Sequence, residues 1–211
     1  MPRLALAGLI VALVLVAGGA VHAGPPTDQL KTTIDHVLAT IQDPALRQPA
    51  KTEERRQKLR AIANEVFDWP EIGKRALARH WEARSPKERE EFSALFGDLL
   101  ERSYAGKIEA YSGEKIVYEK EAVEGDQATV RTKLVTKAGT QIPIDYRMQK
   151  SGERWHVYDV LIENVSLVGN YRSQFNRIIQ QSGYAELIQR LKTKQEELQF
   201  DDGVATKGKK P

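Results

Sequence analysis

The spacing of hydrophobic and polar positions along the 211-residue chain changes twice, from a helical period to a period of two and back again. The second change falls inside residues 154–175, RWHVYDVLIENVSLVGNYRSQF, the stretch around which the other elements are placed. Residues 155–162 are β-branched and aromatic and read as a strand. Strict alternation puts Trp155, Val157 and Leu161 on one face and Tyr158, Val160 and Ile162 on the other, so both faces are expected to be buried. Past Glu163 and Asn164, the residues Val168, Tyr171, Phe175, Ile178 and Ile179 recur every three or four positions, the period of an amphipathic helix, with Ser166 as its N-cap.

Upstream the helical period dominates. Leu30, Ile34, Val37, Leu38 and Ile41 make one stripe, ended by Asp43-Pro44. A second helix opens at Thr52 and carries Leu59, Ile62, Val66 and Phe67. Asp68 and Glu71 form a capping-box signature around Pro70 and open a short helix to about Trp81. Ser85-Pro86-Lys87-Glu88 repeats the signature, and the helix it opens presents Phe92, Leu95, Phe96, Leu99, Leu100, Tyr104, Ile108 and Tyr111 on one face. Such a stripe either packs on a sheet or lines a ligand cavity. From residue 113 the period is two. Strands are expected at 115–123, 127–136, 141–149 and 154–162, joined by short turns at Glu124-Gly125-Asp126, Lys137-Ala138-Gly139 and Lys150-Ser151-Gly152-Glu153. The third alternates cleanly, with Ile142, Ile144, Tyr146 and Met148 opposite Pro143, Asp145, Arg147 and Gln149. A last helix from about Tyr184 carries Leu187, Ile188 and Leu191. The expected class is α+β: a four-stranded curved antiparallel meander with helices packed on one face.

The two ends stand apart from this pattern. Arg3, the apolar run 4–17 and Val21-His22-Ala23 have the make-up of a secretory signal, so residues 1–23 are expected to be cleaved, with cleavage after Ala20 as the nearby alternative. A membrane anchor is the competing reading, but the run is shorter than the roughly 20 apolar residues of a spanning helix. Residues 24–198 are then one domain, and 199–211, ending in KGKKP, a disordered polar tail. The chain has no Cys, hence no disulfide and no lipidation site at the cleavage point.

A formal charge of +3, with Lys and Arg interleaved among Asp and Glu, is a mixed surface rather than a nucleic-acid footprint, and a monomer with no nucleic-acid partner is expected. Catalytic chemistry is sparse. There is no Cys nucleophile, GxSxG elbow, HExxH, phosphate-cradling glycine loop or metal-spaced His and carboxylate cluster, so no catalytic residue, metal or cofactor is expected. His36 and His80 stand alone in helices, and His156 and Asp159 point to opposite faces of their strand. Asp159, an acid within an apolar strand, is either paired structurally or functional. In an isomerase of the ketosteroid kind it would act as base, with Tyr104 or Tyr158 as acid.

Two runs carry a resemblance: W-x-x-x-S-P-x-x-R-x-x-F at residues 81–92 and Y-D-V-x-x-E-x-V-S at 158–166. Together they make the chain resemble the MlaC, or toluene-tolerance, family from roughly residue 30 to 198, although Phe67-Asp68 before Trp69 departs from the family's more usual aromatic run. The resemblance implies a periplasmic carrier that holds a glycerophospholipid by its acyl tails in an apolar cavity between sheet and helices. It also implies shuttling between an outer-membrane MlaA–porin complex and the inner-membrane MlaFEDB transporter, through MlaD, to maintain outer-membrane lipid asymmetry. A relative serving hopanoid pathways leaves another apolar lipid as the alternative ligand. On the periodicities above, the lining of that cavity is expected from Phe96, Leu99, Leu100, Tyr104 and Ile108 on the helix and Val130, Leu134, Ile142, Ile144, Tyr146 and Met148 on the second and third strands. Tyr158, Val160, Ile162, Val165, Val168, Tyr171 and Phe175 complete it from the organising stretch.

Overall fold

A computed structural model describes residues 24–193, so the expected signal peptide and polar tail lie outside the described residues. The chain runs α1 (Pro25–Gln42), a 3-10 turn (Pro49–Lys51), α2 (Thr52–Val66), α3 (Trp69–Leu77), a second 3-10 turn (Ala78–His80) and α4 (Pro86–Glu109). Strands β1 (Lys115–Glu124), β2 (Gln127–Val135), β3 (Gln141–Ser151), β4 (Arg154–Ile162) and β5 (Val165–Ser166) follow, then α5 (Leu167–Lys192).

Local chemistry accounts for the helix starts. Ser85 and Glu88 form the full reciprocal capping box at α4, with the Ser85 amide donating to Glu88 Oε2 at 2.8 Å. At α3 the box is half made. Asp68 Oδ1 accepts the Glu71 amide at 2.9 Å, while the Glu71 carboxylate turns to Arg75 Nε at 2.8 Å. The two helices expected after the sheet form one span broken at Gly183, whose φ of 84° and ψ of 167° no helical residue adopts.

The sheet is antiparallel, in the order β1-β2-β3-β4-β5, with five strands rather than the four expected. The fifth is two residues long, too short to show a period, and continues the sheet where Glu163 and Asn164 turn the chain through positive φ. A second difference reaches further. Arg147 lies opposite Asp159, yet Met148 lies opposite Val157, so Tyr158 is an extra residue bulged out of β4. Unbroken alternation would leave Tyr158 and Val160 on one face. The bulge instead turns Tyr158 and Asp159 to the same side and returns Val160 to the face of Val157.

The helices lie on two sides of β4, not on one face. Leu30 of α1 and Val66 of α2 pack with Ala128, Val130, Met148, Trp155 and Val157 into one core. Ile72, Ala76 and Leu77 of α3, Phe92, Phe96 and Leu100 of α4, and Val168, Tyr171 and Phe175 of α5 form another around Tyr158. Edge-on rings fill the latter: Phe175 meets Phe92 at 5.5 Å and 84° and Phe96 at 5.0 Å and 80°. Gly73 admits the approach of α3 to α4, since a Cβ there would sit 2.5 Å from Ser93 Oγ.

Candidate functional site

Directly opposed residues of antiparallel strands share a face, so the strand register sorts the side chains on the face that carries α1 and α2 into rows. From one end of the sheet these are Ile116, Leu134 and Ile142, then Tyr118, Thr132, Ile144, Ile162 and Val165. Glu121, Val130, Tyr146 and Val160 come next, and Val123, Ala128, Met148 and Val157 last. Burial is graded along the rows on the inner strands. Val130, Ala128, Met148 and Val157 are buried, with Val123 on the edge strand β1 49% exposed, whereas Ile116, Leu134, Ile142, Ile144, Val160 and Ile162 keep part of their surface accessible, and Val165 is 46% exposed.

One end of this face is closed by α1. Thr27 donates its amide and hydroxyl to Glu121 Oε2 at 2.8 and 2.6 Å, and Gln29 exchanges two hydrogen bonds with the backbone of Trp155. These contacts hold Glu121, the one charged residue in the rows, by its Oε2. The other end is an apolar strip left partly open, with Tyr118 and Tyr146 at its middle. Burial pushes the Tyr146 phenol up to about 12. It raises Tyr118 further, helped by Tyr146 and by Asp35 of α1. Both are therefore protonated hydroxyls at neutral pH. Thr132, fully enclosed between them, gives its hydroxyl to the Ile144 carbonyl at 2.7 Å.

Of the residues expected to line a cavity, the strip gathers Leu134, Ile142, Ile144, Tyr146, Val160, Ile162 and Val165, while Val130 and Met148 share its face but are buried in the packed core. It does not gather Phe96, Leu99, Leu100, Tyr104, Tyr158, Val168, Tyr171 and Phe175, which belong to the helical core on the far side of β4. Ile108, near the end of α4, is 42% exposed. The stripe of α4 thus turns to α3 and α5. Its link to the α1–α2 side is ionic: Arg55 Nη2 lies 2.9 Å from Glu109 Oε1 and Arg60 Nε 2.7 Å from Glu101 Oε2. Ile116 and Tyr118 of β1 join the strip although they are not among the expected lining residues; their spacing of two is the signal that marks them.

Tyr158 and Asp159 occupy the opposite face of β4. Asp159 is 5% exposed; its Oδ1 accepts the Val168 amide at 3.1 Å, and its Oδ2 accepts Ser166 Oγ at 2.7 Å and Arg147 Nη1 at 3.3 Å. Ser166 Oγ in turn accepts the Gly169 amide at 2.8 Å, capping α5. A carboxylate committed on both oxygens is poorly placed to take a proton from a substrate. The Tyr158 ring is covered by the Arg75 guanidinium at 3.9 Å. A cleft of about 470 Å³ with mixed polar and apolar walls opens beside this node between α3 and α5, and a smaller one of about 370 Å³ adjoins it at Leu77, Ala78, Arg79, Arg172 and Asn176. Neither cleft is the apolar cavity expected between sheet and helices. Among the described residues no group of three His, Cys, Asp or Glu side chains is placed to hold a metal ion, and no helix is long and apolar enough to cross a membrane.

The model of the MlaC family, described as MlaC protein, matches residues 31–193. The intermembrane phospholipid transport system binding protein MlaC of Haemophilus influenzae is 30% identical over 125 residues, which are 56% of this chain and 58% of that protein, less than two thirds of its length. The toluene tolerance protein ttg2D of Pseudomonas putida is 22% identical over 83% of both chains. A phospholipid-binding protein from Ralstonia solanacearum, solved in complex with a phospholipid, superposes with a TM-score of 0.71 at 28% identity, over 81% of this chain and 96% of that one.

Proposed function

The chain belongs to the MlaC family, and from that premise we propose that it is a carrier of glycerophospholipid, holding the acyl tails against the strip on the α1–α2 face of the sheet. The observation that carries this reading is the graded face itself. Seven apolar positions, Ile116, Leu134, Ile142, Ile144, Val160, Ile162 and Val165, share one side of the sheet and are left partly or largely exposed beside a fully packed core. A soluble domain seldom leaves a contiguous apolar surface of this kind without an occupant. Each methylene withdrawn from water contributes about 0.8 kcal/mol, so the two acyl chains of a glycerophospholipid together supply firm binding where one alone would be marginal. The likeness in fold to a protein solved with a phospholipid supports the ligand class.

In the fuller account the chain is exported by its N-terminal segment, works as a monomer in the periplasm, and moves lipid between an MlaA–porin complex and MlaFEDB through MlaD. An isomerase reading is disfavoured by the saturation of Asp159. Solvent extraction of protein purified without detergent, followed by mass spectrometry, tests the ligand class. Glycerophospholipid is expected; a hopanoid would reassign the cargo, and an extract without lipid from folded protein would overturn the carrier reading.

A further inference from the structure

Two tyrosines stand in the middle of the apolar strip, on strands separated by β2. Tyr118 is level with Thr132 and Ile144, and Tyr146 is level with Val130 and Val160, one row further along the same face. Each ring packs against the core shared by α1, α2 and the sheet. Neither hydroxyl is taken up by a hydrogen bond to a described residue, whereas the Thr132 hydroxyl beside them is committed to Ile144. Both residues are half-buried, so each hydroxyl is left open to whatever occupies the strip, and an apolar face gains nothing from phenols where phenylalanines would pack as well.

We propose that the Tyr118 and Tyr146 hydroxyls are a hydrogen-bonding site for the ester carbonyls of the bound lipid, fixing where the glycerol–acyl junction lies on the strip. This rests on the carrier reading and assigns it a polar contact. A protonated phenol can donate as well as accept, and around its glycerol a diacyl lipid offers only acceptors, so the group met there is an acceptor. That group is neutral rather than a phosphate. The carboxylate that bears on Tyr118 is Asp35 of α1, and the charged side chain in the row of Tyr146 is Glu121, already held by Thr27. Both are negative, and a phosphate brought beside them without a cation would be repelled and desolvated together. An ester carbonyl accepts without that penalty and sits where the two acyl chains begin, which leaves Ile142, Ile144 and Ile162 to contact methylenes.

The test compares a diacyl phosphatidylcholine with its dialkyl ether counterpart, which has the same chains and headgroup but no ester carbonyl. Both are titrated into the delipidated mature chain and into Tyr118→Phe and Tyr146→Phe. Wild type is expected to prefer the diacyl lipid, and each variant to bind it roughly three- to tenfold more weakly, the worth of one net hydrogen bond, with ether-lipid binding unchanged. The wild-type preference is read without any substitution, so a variant that folds poorly does not spoil the test. Equal wild-type affinity for the two lipids, or variants that lose both lipids alike as a phosphate contact would require, overturns the ester assignment while leaving the carrier reading in place. Binding of neither lipid by wild type overturns both.

Discussion

The Val168 amide donates to Asp159 Oδ1 at 3.1 Å, so the first turn of α5 hangs from a carboxylate on β4. Ser166 and Arg147 complete the node, and the Tyr158 bulge is what turns the carboxylate toward them. Asp159→Asn keeps the shape but replaces one acceptor oxygen by a donor facing donors. It is expected to lower stability by about 1 to 3 kcal/mol while leaving lipid content per folded molecule unchanged. Thermal melting and lipid analysis of the same sample check this. A variant that melts higher than wild type and still binds an apolar ligand would return Asp159 to the role of a strained catalytic base.

Volume added to the strip should behave differently from volume removed from the helical core. Ile144→Trp or Val160→Trp places bulk where side chains are partly accessible, and is expected to expel lipid with little change in melting temperature. Phe96→Ala empties a fully buried ring site among Phe92, Tyr171 and Phe175 and is expected to cost about 3 to 5 kcal/mol. If the tryptophan variants unfold and their folded fraction retains lipid, the strip is ordinary core.

The α3–α4 crossing supplies a self-contained check. Gly73→Ala drives a methyl to 2.5 Å from Ser93 Oγ and is expected to destabilise by about 1 to 3 kcal/mol. The Ser93 hydroxyl is buried and without a hydrogen-bond partner among the described residues, so Ser93→Ala alone should be neutral or stabilising. In the double variant the nearest atoms to the new methyl are at 3.4 Å, and most of the loss should be recovered. Additive losses in a denaturation cycle would contradict this packing account.

Burial raises the Glu109 carboxyl, but hydrogen bonds from Arg56 and Arg55 outweigh it and leave the group below the ordinary carboxylate value. A depressed folded-state pKa contributes stability that is present above the unfolded value and lost as pH falls through the folded one. The clasp between α2 and α4 should therefore weaken on the acid side of the carboxylate range. Glu109→Gln is expected to flatten the acid limb of a stability-against-pH profile without altering it near neutrality in slope. A variant whose acid limb keeps the wild-type steepness would remove Glu109 from that role.

Helix starts and strand spans were readable because each rests on a local rule. Ser85 with Glu88 and Asp68 with Glu71 announce caps, and alternation over β3 places Ile142, Ile144, Tyr146 and Met148 on one side, as the register has them. What alternation cannot report is a residue that breaks it. Tyr158 is as good a strand residue bulged as paired, and with apolar residues on both sides of β4 no polar marker betrays the change of phase. That one residue is why Tyr158 leaves the expected lining for the helical core while Val160 stays on the strip. Phe96, Tyr171 and Phe175 read as cavity residues because a helical stripe shows that a face is buried, not what buries it. Val165 belongs to the expected lining, yet nothing in the sequence announces β5, since a two-residue strand has no periodicity.

The central claim is that acyl tails lie against the α1–α2 face of the sheet, and photolabelling measures this most directly. The delipidated chain is loaded with a phospholipid carrying a photoreactive group midway along one acyl chain, irradiated, digested and mapped by mass spectrometry. The account predicts adducts on β2, β3 and the end of β4, at Leu134, Ile142, Ile144 and Ile162, and none on Phe92, Phe96 or Phe175. Labelling concentrated on the α4 and α5 aromatic core, with β3 left clean, would contradict it.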